Sequence, residues 1–68
     1  MRVVVNGESQ EITEGATLDE LISKLVLSPD RVAVELNLEV VRRGEWARMT
    51  LNEGDRVEIV HFVGGGQA

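Results

Sequence analysis

Arg56-Val57-Glu58-Ile59-Val60-His61-Phe62-Val63 runs directly into Gly64-Gly65-Gly66-Gln67-Ala68. The first part alternates and is rich in β-branched residues, which predicts a strand. Its side chains divide by parity: Val57, Ile59 and His61 point one way, and Arg56, Glu58, Val60 and Phe62 the other. The glycines that follow have no side chain to bury, and ordering them costs more backbone entropy than ordering other residues. The expected division is therefore a folded domain over residues 1–63 and a flexible tail over 64–68. Two readings of that tail are open at this point. It is a frayed end, or it is a thin segment built to enter a narrow slot in another protein.

The strand constrains what lies beside it. Arg56 and Glu58 must face water, so the same outward face turns apolar at Val60 and Phe62. Met1-Arg2-Val3-Val4-Val5 is a second valine-rich strand, and Arg2 on its outward side sends Val4 outward too. If the two strands are neighbours, Val4, Val60 and Phe62 form an exposed apolar patch, and such patches mark protein partners. The alternative is that Phe62 folds back over the edge of the core. Asn6-Gly7 is a strong hairpin signal, because both residues tolerate positive φ. The returning segment, Glu8 to Ile12, is polar apart from Ile12 and suits a sheet edge.

Thr17-Leu18-Asp19-Glu20 has the form of a capping box, in which the Thr17 hydroxyl and the Glu20 carboxylate each accept from the other's backbone N–H. Leu18, Leu21, Ile22 and Leu25 then recur at helical spacing and form one apolar stripe. Ser28-Pro29-Asp30 is expected to stop this helix. Val32 to Leu36 alternates as a strand, and Glu39 to Arg42 follows as a short one. Asn37-Leu38 between them reads as a turn, although leucine is a poor choice for positive φ. Trp46 is the only tryptophan; it is expected to pack beneath a loop rather than to serve as a binding anchor. Asn52-Glu53-Gly54-Asp55 is a turn. The sum is an α+β fold: a mixed sheet of four to five strands with one main helix on one face, the first and last strands side by side.

Composition narrows the function. With 68 residues there is room for one small core. The net charge of −5 is a poor match for a phosphate backbone, so no nucleic-acid partner is expected. There is no cysteine, hence no disulfide, thiolate metal site or catalytic thiol. His61 is the only histidine, without a second histidine or paired carboxylate near it in sequence, so no metal site is expected. No acid–base pair or phosphate-cradling glycine loop is recognisable, so the chain is not expected to be an enzyme or to bind a cofactor of its own. No apolar run approaches membrane-spanning length, and Asn6-Gly7 interrupts any signal core, so a cytoplasmic location without membrane association is expected.

Five segments together resemble the ThiS family, the small ubiquitin-like sulfur carriers of thiamine thiazole biosynthesis. They are Val5-Asn6-Gly7-Glu8, Glu14-Gly15-Ala16-Thr17-Leu18, Val32-Ala33-Val34-Glu35-Leu36-Asn37, Glu45-Trp46, and the most specific, Gly54 through Gly66. The resemblance implies a β-grasp fold. It implies that an E1-like adenylyltransferase uses ATP to adenylate the carboxylate of a C-terminal glycine. A sulfur donor such as a cysteine desulfurase system then converts the acyl adenylate to a thiocarboxylate, and thiazole synthase takes the sulfur. Carried onto this chain, Gly64, Gly65 and Gly66 are the tail entering the partner, and Gly66 is the reactive terminus.

Two features depart from the family pattern. Gln67-Ala68 follow Gly66, so Gly66 has a free carboxylate only once that dipeptide is gone. Either a protease removes it, or it is an addition to the chain, or the chain is not a competent carrier. Leu38 stands where relatives often have glycine. Two alternatives stay open: a carrier like the small subunit of molybdopterin synthase, and a non-catalytic ubiquitin-like binding module.

Overall fold

The computed structural model describes residues 1–26 and 28–62. Asn6 and Gly7 adopt φ of 48° and 84°. They turn strand β1 (Arg2–Val5) back into β2 (Glu8–Glu11), with Val5 opposite Glu8 and Arg2 opposite Glu11. Primed turns of this kind match the right-handed twist of the strands they join. The capping box forms as its residues require. The Thr17 N–H donates to Glu20 Oε1 at 2.9 Å, and the Glu20 N–H donates to Thr17 Oγ1 at 3.2 Å. It opens helix α1 (Leu18–Leu25).

Two features of that helix differ from the sequence expectation. It ends at Leu25 rather than at Ser28-Pro29, and the proline instead opens a 3-10 turn, Pro29–Arg31. Leu18, Leu21 and Ile22 are buried, whereas Leu25 is 43% exposed. The reason lies one residue on. Val26 leaves the helix with extended geometry (φ −128°, ψ 127°), its N–H donates to Ile22 O at 2.8 Å, and its side chain enters the core. Val26 thus fills the space the helical repeat assigned to Leu25.

The remaining strands are β3 (Val32–Leu36), β4 (Glu39–Val40) and β5 (Arg56–His61). β4 is shorter than the Glu39 to Arg42 expected. The sheet order is β2-β1-β5-β3-β4. β5 is central, parallel to β1 and antiparallel to β3. A parallel pair needs a crossover, and here α1 and the chain through Trp46 provide it. Val3, Val5, Val34, Val57 and Ile59 share the covered face and are buried with Leu18, Leu21 and Ile22. β2 is an edge strand with the polar sequence that suits one.

Asn37-Leu38 makes the turn despite its leucine, with φ of 52° and 74°. Two residues must link Leu36 to Glu39, which pair directly, and such a connection favours positive φ at both. Leu38 is 81% exposed, so it contributes little packing to offset that conformation.

Trp46 is buried within a 3-10 segment, Arg43–Arg48, and its Nε1–H donates to Val41 O at 2.9 Å. It is a packing residue. The loop after it is fastened to the helix entry: the Leu18 N–H donates to Met49 O at 2.8 Å and the Leu51 N–H to Ala16 O at 2.9 Å. Among the described residues no helix is long and apolar enough to cross a membrane.

Candidate functional site

Apart from Val4 on β1, everything the sequence singled out for interaction lies on or after β5. The alternation of backbone bonds fixes how that strand is held. The Asn37 N–H donates to Arg56 O at 2.8 Å and the Phe62 N–H to Arg31 O at 2.9 Å, so the even-numbered residues of β5 bond towards β3. The odd-numbered ones bond towards β1. The Asn6 N–H donates to Val57 O at 2.9 Å. β1 has ended by then, and the Asn6 side chain takes over. The Ile59 N–H donates to Asn6 Oδ1 at 2.7 Å, and Asn6 Nδ2 donates to Ile59 O at 3.2 Å. One primary amide thus supplies the acceptor and donor that another strand residue would supply.

The opposite end of β5 is fastened by a second asparagine at positive φ. The Arg56 N–H donates to Asn37 Oδ1 at 3.0 Å, and Asn37 Nδ2 donates to Asp55 Oδ1 at 3.1 Å. The sequence identified both asparagines only as turn formers. Their side-chain bonds were not legible, because the partners lie 53 and 19 residues away.

On the open face of the sheet, Val60 pairs with Ala33, and Phe62 lies one step further along. Val60 is 58% exposed and Phe62 55%, so Phe62 does not fold back over the core. Val40 is also exposed on this face, on β4 opposite Glu35. Val4 does not join this group. The register sets it beside Arg56, where it is half-buried. Four residues of strand, roughly 13 Å, separate that position from Val60, with the outward-facing Glu58 between. The expectation of a Val4–Val60–Phe62 patch assumed neighbouring strands. The strands are neighbours, but β1 stops before it comes level with Val60.

On the covered face, His61 follows Val57 and Ile59 as parity requires, yet it is exposed. It borders a shallow groove of about 350 Å³ with Asn6, Leu25, Val26 and Ile59. A larger open depression of about 610 Å³ lies away from β5, beside the helix entry, where Glu14, Asp19 and Glu20 accompany Lys24. Its lining contains no histidine. Among the described residues no cluster of His, Asp and Glu could hold a metal ion. The Gly64, Gly65 and Gly66 assignments, and the Gln67-Ala68 that follow, lie outside the described residues.

A single helix crossing a five-stranded mixed sheet, with parallel first and last strands at its centre, defines a ubiquitin-like β-grasp domain. The chain belongs to the ThiS family, whose model it matches over residues 3–66. It is 45% identical over 67 residues to a thiazole synthase of Magnetococcus marinus, a match covering 98% of this chain and 21% of that protein. It is 26% identical over 66 residues to the sulfur carrier protein ThiS of Escherichia coli, covering 97% of this chain and all of that one. The crystal structure of the thiamine biosynthesis protein ThiS from Geobacter metallireducens superposes with a TM-score of 0.83 at 39% identity, covering 97% of this chain and 100% of that chain. The chain spans about a fifth of the length of the thiazole synthases it matches.

Proposed function

We propose that this chain is a sulfur carrier of thiamine biosynthesis, with Gly66 as the residue that bears the sulfur. The observation that carries the reading is the family match, which runs to Gly66 and stops before Gln67-Ala68. With the dipeptide removed, the Gly66 carboxylate is ionised at neutral pH. An E1-like adenylyltransferase orients one of its oxygens for attack on the α-phosphate of ATP, and pyrophosphate leaves. A donor such as a cysteine desulfurase system carries the sulfur as a persulfide. Its terminal sulfur attacks the acyl carbon and displaces AMP, and a thiol reductant then cleaves the sulfur–sulfur bond of the acyl disulfide so formed. The product is a thiocarboxylate, which hands its sulfur to thiazole synthase. A thiazole synthase that contains a segment similar to nearly all of this chain supports that acceptor. The carrier performs no step itself; ATP belongs to its partner, and the cytoplasm supplies it.

The fold suits the task. β5 is held on both sides, and Gly64, Gly65 and Gly66 follow it closely in the sequence; their lack of Cβ suits a narrow channel. Val60 and Phe62, on the open face just before those glycines, form the surface that docks the activating enzyme. The test compares the full chain with a chain ending at Gly66. Each is incubated with ATP, the activating enzyme and the sulfur donor, while pyrophosphate release and protein mass are followed. Only the form ending at Gly66 is expected to be adenylated and to exchange one oxygen for one sulfur. Equal reaction of both forms, with sulfur on Ala68, refutes the assignment of Gly66.

A further inference from the structure

The side chain of Asn6 has a place in the fold that a turn does not require. A primed turn needs residues that tolerate positive φ, and glycine meets that need at least as well as asparagine. Here the amide of Asn6 also grips Ile59 by both its N–H and its carbonyl, at 2.7 and 3.2 Å. It does so where β1 has run out and β5 continues alone on that side. Two residues further on, the backbone groups of His61 face the same side by parity, with no strand opposite them among the described residues. Asn6 is therefore the last tie on the β1 side of β5. On the β3 side the last tie is the Phe62 N–H to Arg31 O, at 2.9 Å. Both ties precede Gly66 in the sequence by only a few residues.

We propose that Asn6 is a positioning residue for adenylation: its amide extends the parallel ladder to Ile59 and so secures the β1 side of the end of β5, the strand that precedes Gly66 in the sequence. This rests on the sulfur-carrier reading above. Reaction at a terminal carboxylate depends on delivering it in line with the α-phosphate, and misplacement of about an ångström can cost a hundredfold in rate. Releasing Ile59 loosens the strand end on its β1 side, because among the described residues no other tie replaces Asn6 there, while the β3 side stays bonded through Phe62. Val60 and Phe62 would still face outward, but on a strand end no longer held at one angle.

Asn37 provides the internal control. It too has positive φ and uses its side chain to bind a backbone N–H of β5, but at Arg56, the end remote from Gly66. Asn6→Gly and Asn37→Gly each keep a residue suited to the turn and remove the side-chain bonds. The two variants are compared with wild type in the same terminal form, full chain or ending at Gly66, that is active in the assay above. Amide exchange is measured on the full chain. Asn6→Gly is expected to lower protection of the Ile59 amide about tenfold, the weight of roughly one hydrogen bond, beyond any change at the buried Leu51, whose N–H is bonded to Ala16 O. Asn37→Gly should lower both in parallel.

In adenylation, at a temperature where all forms are folded, Asn6→Gly should lower kcat/KM for the carrier about tenfold. The KM for ATP should stay the same, and Asn37→Gly should match wild type. Asn6→Asp, which keeps the acceptor for Ile59 N–H but loses the donor, should fall between. Equal kcat/KM for the Asn6 and Asn37 variants overturns the proposal, as does unaltered Ile59 protection. If wild type is not adenylated in either form, the sulfur-carrier reading fails and the role in adenylation with it. Amide exchange then still decides whether Asn6 secures the end of β5.

Discussion

Leu21 and Leu25 occupy one helical stripe in the sequence but not one environment in the fold. Leu21 is 3% exposed and Leu25 43%. Truncating Leu21 to alanine removes buried hydrocarbon worth ~0.8 kcal/mol per methylene-sized group, about 2.4 kcal/mol in all. A residual cavity raises the loss to about 3–4 kcal/mol, within the range of roughly 2–5 kcal/mol for buried Leu→Ala changes. For Leu25 only part of the side chain is covered, and solvent fills the space it leaves. The expected loss there is about 1 kcal/mol. A chain of this length has about 3–10 kcal/mol to lose, so Leu21→Ala threatens the fold and Leu25→Ala does not. Urea unfolding followed by Trp46 fluorescence measures both. With m near ~1 kcal/mol per molar, the midpoints should fall by about 3 M for Leu21→Ala and about 1 M for Leu25→Ala. Equal shifts would refute the account in which Val26 takes the core position at the helix end.

Leu38→Gly should stabilise the domain by roughly 0.5–1 kcal/mol, since relief of left-handed backbone strain exceeds the added entropy of the unfolded chain; a lower melting temperature would contradict this. Trp46→Phe removes the donor to Val41 O and should cost about 1–3 kcal/mol through the unpaired carbonyl and lost packing, read from circular dichroism on heating. Val60→Asp should leave the melting temperature nearly unchanged, as Val60 is exposed, but weaken the complex with the activating enzyme by at least ~2 kcal/mol in calorimetry. Unaltered affinity would remove Val60 from the docking surface.

The turn at Asn6-Gly7, the Thr17–Glu20 capping box and the alternation of β5 were all legible in the sequence. Each depends on contacts a few residues apart or on side-chain parity, and these properties travel with the chain wherever it packs. The α+β class follows, because a one-sided helix and alternating strands leave few ways to cover their apolar faces. The ThiS resemblance likewise came from residue patterns, and it pointed to glycines that lie outside the described residues.

Other features were set by neighbours remote in sequence. Val26 displaced Leu25 because the space at the helix end is shaped by the sheet beneath it, not by the helical repeat. Val4 and Val60 were kept apart by where β1 stops, an offset along the strands that parity cannot express. Asn6 and Asn37 showed only a tolerance for positive φ until β5 was laid beside them. An amide finds its partners in three dimensions, and Ile59 comes within reach of Asn6 only after the helix and the Trp46 loop have carried the chain back to the centre of the sheet.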